Sequence, residues 1–182
     1  MYGSGRRSAH ALLTPLAIET GFVYLAVILD AWSRRVVGYA ISRSIDARLA
    51  IAALKSAIHD RNPPKGCIHH SDRGSQYASA DYRKLLTAHG LVGSMSRRGN
   101  SYDNAKAESF MKTLKQEEVN GSGYRDAADA RGRIGTFIEQ VYNRQRLHSA
   151  LDYRPPEEYE ATLPRLRVAI SPPSISINQN CP

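Results

Sequence analysis

The sequence has little of what disulfide bonds, membrane-spanning helices or an export signal would require. It has only two cysteines, Cys67 and Cys181, too few for the disulfide framework of a small secreted domain. The apolar run at residues 22–29 is far shorter than the about 20 residues that a membrane span requires. The N-terminus carries basic residues but no apolar stretch of the length found in a signal peptide. These absences predict a cytoplasmic protein.

Acidic residues are scarce relative to basic ones. Lysine and arginine total 25 against 17 aspartates and glutamates, which gives a formal charge of +8 and a pI near 9.7. An excess of this size suits a polyanionic partner such as nucleic acid or an anionic membrane surface. A basic soluble protein without such a partner explains the charge equally well. The length of 182 residues and the hydrophobic content of 42% are those of one globular domain.

The first part of the chain has the pattern of a β-hairpin followed by a helix. Every residue from 22 to 29 is apolar, which predicts a central strand covered on both faces. A short turn and a second strand at 36–41 complete the hairpin. Residues 46–60 change to helical periodicity, with Asp46 suited to cap the helix N-terminus. The Asn-Pro-Pro sequence at 62–64 ends that helix.

Helices and strands alternate through the rest of the chain. The expected elements are a strand at 67–70, a helix at 80–89, a strand at 91–95, a polar loop at 97–104 and helices at 105–119 and 126–147. A hairpin followed by such alternation predicts an α/β layer architecture. Proline and serine become frequent after Tyr159, which predicts an extended or disordered tail at 161–182.

Two acidic residues stand where catalytic or metal-binding carboxylates are common. Asp72 comes directly after a predicted strand, two residues before Gly74, and a strand end of this kind suits a ligand or metal. Glu108 lies one turn into a predicted helix, with Lys112 four residues later on the same face. The alternative is a solvated aspartate and a surface glutamate paired with Lys112. The 35 residues between the two acids, positions 73 to 107, do not decide between these interpretations.

Four blocks of sequence occur in the order and at the spacing typical of one protein family. They are VYLAVILDAWSRRVVGYAI, IHHSDRGSQYAS, GNSYDNAKAESFMKTLKQE and YNRQRLHSALDYRPPEEY. Over roughly Pro15 to Tyr159, the chain resembles the integrase core of insertion-sequence transposases, in the retroviral-integrase-like superfamily with an Asp, Asp, 35 residues, Glu signature. The resemblance implies a ribonuclease-H-like α/β fold, a mixed five-stranded sheet flanked by helices.

The resemblance also implies a catalytic role for both acids. Asp72 would be the second acidic metal ligand and Glu108 the third, the cofactor would be Mg²⁺ or Mn²⁺, and the partner would be DNA, as transposon ends and target. DNA strand cleavage and strand transfer are in-line displacements at phosphorus, in which two metal ions about 3.5–4 Å apart stabilise the attacking and leaving oxygens. Mg²⁺ prefers oxygen ligands and is held by a few carboxylates together with substrate phosphates.

Basic residues near the two acids are candidates for contacts with DNA phosphates. The candidates are Lys112, Lys115, Arg73, Arg97 and Arg98. Each of them is otherwise an ordinary solvated base. Asp103 lies in a segment that resembles the family's flexible active-site loop, and we expect a loop or N-cap residue there rather than a metal ligand.

Two further groups of residues admit two interpretations each. Asn143, Arg146 and His148 resemble the family's C-terminal block, where a structural role at a helix end competes with DNA contact. Cys67 precedes two histidines, but no second pair of cysteines or histidines lies at zinc-ligand spacing. A cysteine in a core strand is therefore favoured over a zinc ligand.

The sequence departs from the family at its start. The first catalytic aspartate of the family should fall near His10, but no acidic residue lies between Met1 and Thr14. Asp30 aligns with the hairpin aspartate of the family and is not expected to replace the missing acid. We therefore expect a degenerate or truncated N-terminus at 1–14 with an incomplete first strand, an integrase catalytic core at 15–160, and impaired catalysis.

Two other functions compete with that of an impaired transposase. One is a non-catalytic DNA-binding remnant that acts alone, as a homo-oligomer or in complex with an intact transposase. The other is a ribonuclease-H-like nuclease, which the transposase-specific C-terminal block makes less favoured.

Overall fold

One mixed sheet organises the protein, whose computed structural model describes residues 8–95, 101–119 and 123–162. The strands are β1 (Ser8–Ile18), β2 (Gly21–Asp30), β3 (Val36–Ser42), β4 (Ile68–Ser71) and β5 (Val92–Met95), in the spatial order β3-β2-β1-β4-β5. The pairs β1–β2 and β2–β3 are antiparallel, whereas β4 runs parallel to both β1 and β5. The predicted α/β fold with a mixed five-stranded sheet is confirmed.

Helices cover both faces of this sheet. They are α1 (Ala47–Arg61), α2 (Ser75–Ala78), α3 (Ala80–Ala88), α4 (Ser101–Leu114), α5 (Ala127–Thr136) and α6 (Pro156–Thr162). Helix α4 continues as a π-helical turn at Lys115–Val119, and α5 does so at Phe137–Tyr142. None of the helices in the described ranges is long and apolar enough to cross a membrane.

Two apolar clusters, one on each face of the sheet, form the core. The α4-face cluster is centred on Val27, Leu29, Phe110, Leu114 and Ile134. The α1-face cluster is centred on Ala26, Ile28, Ala53, Leu54 and Leu86. Because successive residues of β2 alternate between the clusters, this strand has to be apolar at nearly every position. The apolar run is thereby explained from Val23 to Leu29, whereas Phe22 at its start is 59% exposed.

Helix α1 begins and ends where the sequence predicts. Asp46 accepts a hydrogen bond from the backbone N–H of Leu49 through Oδ1 at 3.2 Å, and Asn62 ends the helix in the left-handed conformation with φ of 39°. The helix lies very close to β3 at Gly38, where a Cβ atom would stand 2.5 Å from the carbonyl oxygen of Ala53. This close approach positions α1 over the middle of the sheet.

Two predictions are corrected here, one about the first strand and one about the segment 101–104. The first strand is not incomplete, because β1 has 11 residues and pairs with both β2 and β4. Strand pairing uses backbone groups, so an altered side chain at one position does not remove the strand. The segment 101–104 is helical rather than a loop, since α4 begins at Ser101. Its serine, aspartate and asparagine residues favour helix starts as much as loops.

The C-terminal part of the fold brings a further correction. The last long helix ends with its π-helical turn at Tyr142 rather than at Leu147. The next residue, Asn143, binds the edge of β3 through its side chain. Residues 149–151 form a short 3₁₀ turn before α6. The tail expected at 161–182 begins later than predicted, because α6 runs to Thr162, and its remaining residues lie outside the described part of the chain.

Candidate active site

Asp72 follows β4 directly, at the strand end where the sequence places it. Its Oδ1 atom accepts a hydrogen bond from the backbone N–H of Gly74 at 2.7 Å, so the carboxylate stabilises the turn that leads into α2. Asp72 is exposed, and so is the neighbouring Arg73. An exposed carboxylate at the end of a strand can take a cation from solvent without any change in the fold.

Glu108 lies on the exposed side of α4. Phe110 and Leu114 of the same helix are fully buried in the α4-face cluster, whereas Glu108, Lys112 and Lys115 are exposed. This arrangement is the one that the helical spacing predicts. The three charged side chains therefore share the solvent side of the helix that covers one face of the sheet.

The start of α4 is tied to the hairpin turn by a lysine that the sequence did not single out. Lys106 donates a hydrogen bond through Nζ to the carbonyl oxygen of Ala31 at 2.6 Å. Ala31 in turn donates its N–H to the carbonyl oxygen of Ser8, at the start of β1, at 2.9 Å. These two bonds link the start of α4, through the hairpin turn, to the start of β1.

His10, near the position expected for the first acid, lies on the face of the sheet that α4 covers. On β1, Leu16 and Ile18 belong to the α4-face cluster, and His10 lies on the same face because side chains alternate along a strand. His10 pairs in register with His70 of β4, and their rings stack with centroids 4.8 Å apart and planes inclined by 17°. At this position the chain therefore carries a pair of imidazoles.

On the opposite face of β4, His69 lies beside a pair of aromatic side chains from α2 and α3. His69 Nε2 lies 2.7 Å from the hydroxyl of Tyr82 in α3, and Tyr77 packs edge-on against Tyr82 with centroids 5.4 Å apart. Burial, with the charges of His70 and His10 adding to it, lowers the pKa of His69 to about 4. His69 is therefore neutral at pH 7 and holds β4 against α3.

The carboxylate of Asp30 is engaged by the hairpin turn and by α1. Its Oδ1 accepts the N–H groups of Trp32 and Ser33 at 2.8 and 2.9 Å, and its Oδ2 lies 3.7 Å from Nη2 of Arg61 in α1. Both carboxylate oxygens thus serve the hairpin turn and an ion pair on the side of α1. Asp30 therefore faces α1, whereas α4, which carries Glu108, covers the other face of the sheet.

The described residues contain no preformed metal-binding cluster. Among residues 8–95, 101–119 and 123–162, no three histidine, cysteine, aspartate or glutamate side chains come close enough together to hold a metal ion. Cys67 is half-buried next to β4. The cysteine stands just before the first residue of β4, Ile68, which corrects the expectation of a cysteine inside a core strand.

Comparison with known proteins identifies the family. Two models, both described as integrase core domain, match residues 12–101 and residues 89–156. The chain belongs to the integrase core family. The matched ranges together include both candidate acids, all five strands apart from the beginning of β1, and helices α1 to α5.

Curated relatives of this integrase core are transposases of insertion sequences. The transposase for insertion sequence element IS904 of Lactococcus lactis subsp. lactis is 41% identical over 148 residues, which cover 81% of this chain and 58% of that protein. Transposase InsF for insertion sequence IS3A of Escherichia coli strain K12 is 43% identical over 148 residues, covering 81% of this chain and 51% of that protein. The chain spans about half the length of these relatives.

Solved retroviral structures share the fold of this integrase core. The HTLV-2 integrase catalytic core domain in complex with magnesium (trimeric form) has a TM-score of 0.65 and 13% identity, over 85% of this chain and 95% of that chain. The simian T-cell lymphotropic virus intasome in complex with PP2A regulatory subunit B56 gamma has a TM-score of 0.70 and 16% identity, over 88% and 56% of the two chains. At these identities the likeness concerns the fold alone.

The C-terminal block of the integrase core has a structural role at Asn143. Its Oδ1 accepts the N–H of Val36, and its Nδ2 donates to the carbonyl oxygen of Val36, both at 3.0 Å. Asn143 is buried, so these two bonds satisfy the edge of β3 where it would otherwise be unpaired. Of the two interpretations left open by the sequence, the structure favours the one in which Asn143 stabilises the fold.

The other two residues of that block also have partners or packing within the fold. Arg146 forms an ion pair with Glu117, in the π-helical turn after α4. His148 is buried and packs edge-on against Tyr142, with centroids 5.1 Å apart. Burial, with the nearby charges of Arg146 and Arg34 adding to it, lowers the pKa of His148 to about 4. His148 is therefore neutral at pH 7.

The remaining predicted site residues differ in where they lie in the structure. Lys112, Lys115 and Arg73 are exposed beside the two acids, as DNA contacts require. Arg97 and Arg98 lie outside the described residues. Asp103 is the third residue of α4 rather than a loop or N-cap residue, which corrects the sequence expectation. The prediction placed the start of the helix too late, because the polar first turn of the helix has the composition of a loop.

The residues missed by sequence reasoning are those whose role depends on a distant partner. Lys106 had no signal, because its acceptor Ala31 is a backbone carbonyl 75 positions away. His70 was noted only as part of a Cys-His-His sequence, and its pairing with His10 depends on the register between β1 and β4. The alternation of side chains along β4 was the one available signal, since it places His69 and His70 on opposite faces.

Proposed function

We propose that this chain is the core of a metal-dependent polynucleotidyl transferase that acts in DNA transposition, with catalysis impaired by the residue at position 10. Membership of the integrase core family and the transposases among its relatives support the reaction class. The observation that carries the assignment to residues is the placement of Asp72 at the end of β4 and of Glu108 on the exposed side of α4.

Asp72 and Glu108 are the proposed catalytic and metal-binding residues. Their carboxylates fit Mg²⁺ or Mn²⁺, because these ions prefer oxygen ligands and are held by one or two carboxylates together with phosphate groups. Such an ion, when bound, neutralises charge at the phosphorus that undergoes displacement. The chain's own contribution is to hold both carboxylates on rigid elements, a strand end and a packed helix.

Exposed basic residues beside these acids are the proposed DNA contacts. Lys112 and Lys115 lie on the solvent side of α4 with Glu108, and Arg73 follows Asp72. Lysine and arginine in such positions bind phosphate oxygens and hold the duplex in register without reading its sequence. The formal charge of +8 supports a polyanionic partner. We propose transposon ends and target DNA as that partner, and an assembly with further copies or with an intact transposase.

The residue at position 10 is the reason to expect weak activity. A neutral imidazole brings no negative charge, and Mg²⁺ prefers oxygen to nitrogen ligands. With only two acids, fewer charges offset the cost of removing water from the ion. Displacement at phosphorus depends on positioning and charge neutralisation, so the unchanged chain should join DNA strands very slowly.

A strand-transfer assay tests this proposal. The substrate is DNA from the two flanks of the gene, and the proteins are the unchanged chain, His10→Asp, and His10→Asp combined with Asp72→Asn or Glu108→Gln. We expect His10→Asp to join strands faster than the unchanged chain, and either added substitution to abolish the gain. Equal rates for the unchanged chain and His10→Asp would contradict the proposed impairment. A gain that survives both added substitutions would refute the site.

Calorimetry with Mn²⁺ tests the metal site independently of catalysis. The unchanged chain should bind Mn²⁺ more weakly than His10→Asp does, and Asp72→Asn and Glu108→Gln should each weaken binding further. Equal binding by the unchanged chain and both variants would show that these carboxylates do not hold the ion.

A non-catalytic DNA-binding remnant is the second candidate function. The observation in its favour is the lack of any three-residue metal cluster among the described residues. A remnant would bind DNA equally well with and without Mn²⁺, whereas the transferase should bind donor ends more tightly when Mn²⁺ is present. Fluorescence anisotropy of labelled DNA with Mn²⁺ or with a chelator separates the two.

A further inference from the structure

Lys106 occupies a position where an amphipathic helix normally carries an apolar side chain. It stands four residues before Phe110 and eight before Leu114, which are both fully buried in the α4-face cluster, so the three residues share one side of α4. A lysine on the packed side of a helix requires a partner for its ammonium group, because burial of an unpaired charge is costly. Lys106 is half-buried, and its partner lies in the hairpin turn.

That partner is a backbone carbonyl that is itself held in place. Lys106 donates through Nζ to the carbonyl oxygen of Ala31 at 2.6 Å, a short bond of the kind that a charged donor forms. Ala31 donates its own N–H to the carbonyl oxygen of Ser8 at 2.9 Å. The turn is closed by a bond from the N–H of Asp30 to the carbonyl oxygen of Arg35 at 2.8 Å. The acceptor of Lys106 therefore belongs to a hydrogen-bonded turn that is joined to β1.

The bond between Lys106 and Ala31 restrains rotation of α4 about its own axis. The contacts of Phe110 and Leu114 with the core are not directional, so they resist such a rotation less than a hydrogen bond with a defined donor and acceptor does. Glu108 lies two residues after Lys106, nearly opposite it on the helix, and is exposed. Because side chains extend about 5–6 Å from the helix axis, a rotation of about 10° moves the Glu108 carboxylate by about 1 Å.

We propose that Lys106 is a positioning residue for Glu108, and that its bond to the hairpin turn keeps the Glu108 carboxylate in the orientation in which it binds the metal ion. The inference rests on the proposed function, because it takes Glu108 as a metal ligand. In this role Lys106 contacts neither the ion nor DNA, since its ammonium group binds a carbonyl inside the fold. A displacement of about 1 Å is enough to matter, because such an error can lower a reaction rate by about 100-fold.

Lys106→Met tests this role, because it removes the ammonium group and keeps a long unbranched side chain. Loss of a positive charge near the site would by itself strengthen the binding of a metal cation, since like charges repel. Loss of positioning weakens that binding, so the sign of the change separates the two effects. The control is Lys112→Met, which removes the same charge from the exposed side of α4 and leaves the bond to Ala31 in place.

The measurement is Mn²⁺ binding, followed through the electron paramagnetic resonance of the free ion, with a melting temperature for every variant. Replacement of a residue that supports a metal ligand costs about 10- to 100-fold in affinity. We expect about ten-fold for Lys106→Met, because Lys106 acts through the helix rather than on the carboxylate itself. Lys106→Arg keeps a cationic donor and should restore most of the affinity. Lys112→Met should not weaken Mn²⁺ binding.

A double-mutant cycle ties the effect to Glu108. Lys106→Met should weaken Mn²⁺ binding in the unchanged chain but have no further effect once Glu108→Gln is present. A general loosening of the structure would instead lower the affinity by the same factor in both backgrounds. The salt dependence of DNA binding is an independent readout: the slope of log K against log salt should be the same for Lys106→Met as for the unchanged chain, because Lys106 contacts no phosphate.

Three results would overturn the proposal. They are Mn²⁺ binding that is unchanged or tighter in folded Lys106→Met, an equal loss with and without Glu108→Gln, and a shallower salt slope, which would make Lys106 a DNA contact. If Lys106→Met does not fold, Lys106→Gln decides by the same criteria, because its amide is neutral and one atom shorter. If Glu108→Gln leaves Mn²⁺ binding intact, the proposed metal site fails as well. If Glu108→Gln weakens binding and Lys106→Met does not, only the role of Lys106 fails.

Discussion

Replacement of Gly38 by alanine should destabilise the fold strongly, because α1 and β3 approach each other most closely there. A Cβ atom at position 38 would lie 2.5 Å from the carbonyl oxygen of Ala53, 2.5 Å from the backbone nitrogen of Ala57 and 2.7 Å from the Cβ of Ala57. Ordinary carbon contacts are about 3.5–4.0 Å. The obstacle is helix backbone, which cannot rotate away as a side chain can, so α1 must move off the sheet by about 1 Å.

Such a displacement loosens the contact of α1 with the whole α1-face cluster. Overpacking of a core by one methyl group costs about 1–3 kcal/mol, and the backbone obstacle places Gly38→Ala toward the upper end of that range. For a chain of this size, about 2–4 °C of melting temperature corresponds to each kcal/mol. We therefore expect a decrease of about 5–12 °C, measured by circular dichroism and by urea unfolding.

Gly132 in α5 provides a matched control. It is exposed, lies inside a helix, and has nothing within 4 Å of the position that a Cβ would take. Alanine is more favourable than glycine in a helix interior by about 0.8–1.0 kcal/mol, so the same substitution should stabilise the protein there. If Gly38→Ala leaves the free energy of unfolding unchanged, or if Gly132→Ala destabilises as much, the packing argument fails.

Two further predictions concern charged residues. Replacement of both Lys112 and Lys115 by alanine should make the slope of log K for DNA binding against log salt shallower by about 1.8, because each phosphate contact contributes about 0.9. An unchanged slope would show that these lysines do not contact DNA. Glu160 of α6 accepts hydrogen bonds from Arg61 at 2.9 Å and from Arg35 at 3.2 Å. Burial would raise the pKa of Glu160, but hydrogen bonds from Arg61 and Ser33 outweigh it and leave the pKa below the ordinary 4.5. The carboxylate therefore contributes stability above pH 4.5 that is lost as the pH falls through its lowered pKa. Glu160→Gln should lower the melting temperature at pH 7 and have little effect below the folded pKa, and a difference from the unchanged chain that does not depend on pH would contradict this reasoning.

The sequence was enough to predict those features that depend on near neighbours in the chain. The apolar run at 22–29 required a strand buried on both faces, and Asp46 and Asn62 marked the ends of α1. Glu108 and Lys112 are four residues apart on a helix and so share a face. The four sequence blocks and their order were enough to identify the family, because each block is a local pattern of residue types at a fixed spacing.

Only the tertiary structure decided those features that depend on strand register and sheet faces. His10 and His70 are 60 positions apart, and their stacking follows from the parallel pairing of β1 with β4. Asp30 lies on the side of α1 with Arg61, which no local pattern of residues could reveal. The first strand was expected to be incomplete because no acidic residue lies between Met1 and Thr14, yet β1 has 11 residues and pairs with both of its neighbours. The physical reason is that backbone hydrogen bonds build a strand, whereas side chains only decide what its faces can bind.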